Sequence, residues 1–149
     1  SVVLIVGSAL TIGNALTDEA TGITVLLKQI LTPVFEGQSP LVFTITIVVI
    51  ACVLTNICNN MVVGMLLIPI IHVFSQQIGA GSAAIACLSM YMVCIAVVTP
   101  AASTTSAILH GNTKWLKIGD IYKYGILMSI ISLIAVLAVG LPIANIFFS

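Results

Sequence analysis

Asn56, Asn59 and Asn60 stand within LTNICNN, flanked by ITIVVIACV and MVVGMLLIPII. In an apolar medium each unpaired amide costs on the order of a few kcal/mol, so three together require partners or a ligand. A second polar interruption, TPAASTTSA from Thr99 to Ala107, follows the apolar run AAIACLSMYMVCIAVV. Between Glu36 and Lys114 there is no Asp, Glu, Lys or Arg. The region has no nucleophile with a base, no metal-ligand cluster and no carboxylate pair, which argues against an enzyme. Amide, hydroxyl and backbone oxygens at such breaks are suited instead to holding a small ion, and the asparagines mark a candidate binding site.

The elements that must position these groups lie in a membrane. Hydrophobic residues make up 60% of the chain and charged residues 5%, and the mean hydropathy is +1.31. A soluble domain carries about a quarter charged residues. An integral, multi-pass protein of the cell membrane is expected, and a formal net charge of +0 with no basic patch excludes nucleic-acid binding. The chain runs from Ser1 directly into VVLIVGSAL, with no basic region followed by a small-residue cleavage site, so no signal peptide is expected. At about 20 residues per span, 149 residues allow only a few crossings, and a fragment or half of a larger protein is expected.

A first helix is expected over 1–16 and a second over 18–35, started by Thr17 with Asp18 and Glu19 in its first turn and stopped by EGQSP. From Leu41 to Ile71 one straight helix would be roughly 45 Å long, well beyond the ~30 Å hydrocarbon core. A break with its tip at 55–61 gives two arms of about 15 residues, and the pattern over 41–74 fits a re-entrant hairpin whose arms enter and leave on one side. A kinked spanning helix with its amides bonded to neighbours is the alternative. Over 83–110 a broken helix is expected, interrupted at 98–105, because Pro100 removes a donor and restricts Thr99. Ser103, Thr104 and Thr105 can bond the freed carbonyls or cap a short second helix, whereas an ordinary proline kink is the alternative. Trp115, Tyr122 and Tyr124 with Lys114, Lys117 and Lys123 form an interfacial loop leading to a terminal transmembrane helix over 117–147. The lysines put this loop on the cytoplasmic side and the hairpin ends outside.

Two consecutive broken elements are a signature of secondary transporters, in which half-helix termini and unwound carbonyls hold an anion and a coupling cation. The chain resembles the divalent anion/sodium symporters of the ion transporter superfamily. The likeness runs from VGSALTIGNALTDEATGI through LTNICNNMVVGMLLIPI and VVTPAAS to GDIYKYGILMSIISLIAVLAVGLPI. It implies an all-α membrane fold, the C-terminal one of two inverted repeats, and sodium-coupled transport of a dicarboxylate, citrate or sulfate. The other repeat would come from a missing N-terminal half, the intact protein would be a homodimer, and the hairpin and broken helix would move as a unit past a scaffold. Sodium is the implied coupling ion, with no other cofactor.

In that family a Ser-Asn-Thr tripeptide forms the hairpin tip, and the corresponding residues here are Asn59, Asn60 and Met61, so only the central Asn is kept. The resemblance implies that Asn60 serves both sodium and a substrate carboxylate, with Asn59 beside it. It gives Thr55 and the backbone at Cys58 as further sodium ligands, Val98 as a carbonyl ligand, and Thr99 with Pro100 as the pair beside the substrate. Met61 replaces a threonine hydroxyl, and Ala101 with Ala102 stands where family members often carry Pro-Asn. Ser103, Thr104 and Thr105 are candidates for replacement hydroxyls at the substrate.

Cys52, Cys58, Cys87 and Cys94, without a CxxC pair or a nearby His, read as packing residues. So do Met61, Met65, Met90 and Met92. His72 and His110 read as polar tips reaching the interface, and Lys28 as a snorkelling or paired cation. Two other classes compete with the symporter: a proton-coupled carrier or exchanger of the same superfamily, and a membrane subunit that transports nothing.

Overall fold

The computed structural model describes residues 37–148, together with Val25, Gln29, Pro33 and Phe35, which are helical. The helices expected over 1–16 and 18–35, with Lys28, otherwise lie outside the described residues. Those described form helices and connections, with no strand among them. Three helices are long and apolar enough to cross a membrane.

Helix α1, Pro40–Ile57, starts with Ser39 accepting from the Val42 N–H and with proline at its first position, where a missing donor does no harm. Helix α2, Asn60–Ile78, ends on Gly79 at φ 70°, a left-handed residue that a side chain would strain. Only Cys58 and Asn59 separate the two helices. Phe35 packs edge-on against Phe43 of α1, with ring centroids 5.0 Å apart, and lies 5.3 Å from Phe74 near the end of α2. The far ends of the two helices are therefore adjacent, and the pair is an antiparallel hairpin. Its arms have 18 and 19 residues, longer than the 15 expected, because Pro40, Asn56 and Ile57 join the first and residues up to Ile78 extend the second. At about 27 to 29 Å each arm approaches the hydrocarbon thickness, so arm length alone no longer excludes crossing.

Helix α3, Ser82–Cys94, packs against both arms and buries Ile85, Leu88 and Met92 in a core with Phe43, Ile47, Val63, Leu67 and Ile71. The chain then unwinds until Ser103 and resumes as α4, Thr104–Gly111. The interruption begins at Ile95, three residues before the expected start, and closes two residues earlier. Proline acts back to the Ala96 carbonyl, and the opened backbone around it is held by side chains of α1.

Helix α5, Ile118–Ala135, runs through a π turn at Val136–Gly140 into α6, Leu141–Phe148, forming a rod of 31 residues. The sequence pattern predicts an uninterrupted helix here. Pro142 lacks an N–H and crowds the carbonyl one turn earlier, and the π turn, closed by the Leu141 N–H on the Val136 carbonyl, widens the helix just ahead of it. Most of the rod is exposed. It meets the other helices where α6 packs on α3 with Ala144 buried, at Gly140 beside Leu88, at the Ser129 carbonyl facing Cys52, and at Gly125 beside the unwound segment.

Candidate functional site

The hairpin tip and the interruption after α3 touch one another. A helix continuing past Cys94 would bond the Val97 N–H to the Val93 carbonyl and the Val98 N–H to the Cys94 carbonyl. Here the Thr55 hydroxyl donates to the Val93 carbonyl at 2.7 Å. Asn56 Oδ1 accepts from the N–H groups of Val97 and Val98 at 3.1 and 3.0 Å. Across the gap the Asn60 N–H donates to the Ala102 carbonyl at 3.0 Å. Two buried side chains at the end of α1 thus take over bonds that α3 gives up.

The later half of the interruption is repaired from α4. Pro100 has no N–H for the Ala96 carbonyl, and the Ser103 hydroxyl donates to that oxygen at 2.7 Å. Ser103 also caps α4, its oxygen accepting from the Ser106 N–H at 3.1 Å. The Ser106 hydroxyl donates to the Val97 carbonyl at 3.1 Å. That same carbonyl and the Val98 Cα lie against Gly125 of α5, where an added Cβ would stand 3.2 Å from each.

Several of the residues assigned from the sequence retain groups without a hydrogen-bond partner among the described residues. The Asn60 carboxamide is half-buried and makes no such bond. Thr99 Oγ1 is shielded and has no partner. The carbonyl oxygens of Cys58 and Val98 also accept nothing there. Thr55, Asn59 and Ser103 each have a side-chain oxygen engaged. Thr55 is fully buried with its proton on Val93, leaving only lone pairs. Asn59 caps α2, its Oδ1 accepting from the Met61 N–H at 3.0 Å. Ser103 is bound to backbone on both sides, as the capping reading anticipates. Pro100, Ala101, Met61, Thr104 and Thr105 are exposed.

Sequence reasoning counted Asn56 among the asparagines that mark a candidate binding site but gave it no individual task, and it gave none to Ser106, Ala102 or Gly125. Asn56 lies in the stretch that first drew notice, but the family pattern assigns Thr55, Cys58 and Asn60 and passes over it. Its available signal was position: four residues after Cys52, it falls on the α1 face that also carries Thr55. His72 is exposed, with Gln76 Nε2 3.4 Å from its Nε2. His110 sits at the end of α4, its Nδ1 donating to the Ser106 carbonyl at 2.8 Å and its ring 5.2 Å from that of Tyr122.

Cavity size does not lead to this place. A cleft of about 650 Å³ lies between α3 and the rod, lined by apolar side chains such as Leu88, Val136 and Phe147, with Tyr91 at its wall. The tip and the interruption are recognised by opposed polarity instead. The C-terminal ends of α1 and α3 bring carbonyl oxygens, and the N-terminal ends of α2 and α4 bring N–H groups, to one locus. Carbonyl ends attract a hard cation and N-terminal ends an anion. Comparison with known proteins found no matching family model, curated protein or solved structure.

Proposed function

We propose that the chain is one repeat of a secondary transporter of the cell membrane, which couples sodium to the movement of a small anion of the dicarboxylate, citrate or sulfate class. The observation that carries this reading is the meeting of two helix C-termini and two N-termini around the uncommitted Asn60 carboxamide. Sodium would be held by the Cys58 and Val98 carbonyls, a Thr55 lone pair and the Asn60 carbonyl oxygen, all hard oxygen donors. The anion would sit on the N-terminal side, against the Asn60 and Asn59 amides, Thr99 beside Pro100 and the exposed hydroxyl of Thr104, with Ser103 holding the backbone behind it. Among the described residues no three His, Cys, Asp or Glu side chains come together, so neutral oxygens would do the holding.

The antiparallel α1–α2 pair is read as re-entrant, with its outer end at Pro40 and Gly79. One hairpin and one broken helix surround half of an ion. A second repeat, from an N-terminal half, would complete the cage, and a homodimer would supply the scaffold.

Uptake of labelled succinate, citrate and sulfate into proteoliposomes, with and without a sodium gradient, tests the reading. Sodium-dependent uptake of one anion that Asn60→Ala abolishes is expected. Uptake driven by a pH gradient and indifferent to sodium would replace it with a proton-coupled carrier. Absence of any uptake would leave a membrane protein of another function.

A further inference from the structure

Asn56 is 7% exposed, at the last turn of α1, and both ends of its carboxamide are committed. Nδ2 donates to the Cys52 carbonyl at 2.8 Å, and Oδ1 receives the successive N–H groups of Val97 and Val98. The orientation of the amide is forced, since two donors face one end and a carbonyl the other. Successive N–H groups converging on one point form the kind of concavity that binds anions elsewhere in proteins. In this chain a neutral oxygen from the neighbouring helix fills it.

We infer that Asn56 is a positioning residue that ties the unwound segment to the hairpin as one body and, by fixing the peptide planes that carry the Ala96 and Val97 carbonyls, anchors the backbone from which the Val98 carbonyl projects. The second part rests on the sodium site proposed above; the tie itself does not. The chemistry selects asparagine. Leucine shares its branched outline but leaves both N–H groups without an acceptor, and glutamine displaces the oxygen by a methylene. Ionised aspartate keeps the acceptor but cannot donate to Cys52. Because Asn56 would touch neither ion nor substrate, its loss should act through the geometry of others.

Cys58, exposed at the tip two residues away, gives a readout that does not need transport. With Cys87 and Cys94 replaced by alanine and Cys52 buried, its alkylation rate is measured in lipid nanodiscs over a sodium series against potassium. Sodium is expected to slow labelling of the Asn56 protein. Asn56→Leu should label several times faster in potassium and need about tenfold more sodium, or more, for half-protection, as the loss of two buried hydrogen bonds implies. Asn56→Asp should recover most of the difference. Should Asn56→Leu not fold, Asn56→Gln must show the same displacement. Unchanged labelling and an unchanged sodium midpoint in the folded variants, even with a lower melting temperature, would make Asn56 merely structural and overturn the inference. If sodium has no effect on the Asn56 protein, the sodium reading fails, and faster labelling of Asn56→Leu in potassium alone still supports the tie.

Discussion

Two of the described helices depart from α geometry, and they do so in opposite ways. At Ile95–Ser103 the backbone opens, and Thr55, Asn56, Ser103 and Ser106 replace the bonds that are lost. At Val136–Gly140 the helix widens by one residue per turn and keeps its bonds internal. Each departure begins ahead of a proline, Pro100 in one and Pro142 in the other. The difference lies in what is packed alongside. Polar side chains from α1 and α4 reach the first, so N–H and carbonyl groups can leave the helix without being orphaned. Among the described residues the second is approached mainly by apolar groups, such as Leu88, and no described side chain hydrogen-bonds to its backbone. A proline loosens a helix; its polar neighbours decide whether the loosening becomes a site.

The contrast can be broken most forcefully from the side of α5. Gly125→Leu would drive a side chain into the Val97 carbonyl and the Val98 Cα, which are backbone and cannot rotate aside. A loss of about 2 to 3 kcal/mol is expected in an unfolding titration in mixed micelles, with uptake abolished. Unchanged stability would mean that the interruption does not rest on α5. Thr55→Val, close to isosteric, leaves the buried Val93 carbonyl without its donor. It should cost about 1 to 2 kcal/mol in the same titration, and no cost would show that α3 can take that carbonyl back. Ser103→Ala removes a cap and the partner of the Ala96 carbonyl, for an expected loss of about 1 kcal/mol. A rise in KM out of proportion to that loss would indicate that the hydroxyl also meets the substrate.

The π turn gives the smallest effect. A Cβ at Gly140 would meet Leu88 Cδ2 at 3.1 Å, the far end of a flexible side chain that can turn away. The better helix propensity of alanine offsets this crowding, and Gly140→Ala should stay within about 0.5 kcal/mol of the parent. A loss as large as that of Gly125→Leu would erase the distinction between the two departures.

Part of this was legible in the chain. Hydropathy and the near absence of charge fix helices of membrane length, because no other spanning element pairs all its own backbone groups without neighbours. The asparagines and the Thr99-Pro100 pair locate both interruptions to within a few residues, since proline and short polar side chains act over a turn or less. The start of the second interruption was not legible. The groups that hold it open are Thr55 and Asn56, some forty residues upstream, and no local pattern announces a bond of that separation. The π turn escaped for a simpler reason: Pro142 reads equally as a kink, a terminus or a wide turn, and packing against α3 accompanies the last.

The sequence by itself therefore determined an all-helical chain with membrane-length apolar helices and two weak points where the backbone could open. The tertiary structure alone decided that the weak points meet, and which of their polar atoms are committed. Asn56, Asn59 and Asn60 are chemically identical, yet one braces a neighbouring segment, one caps its own helix, and one keeps a carboxamide without a partner among the described residues. The physical reason is that hydrogen bonds are short and directional, so the role of a polar side chain is set by what lies within about 3 Å of it.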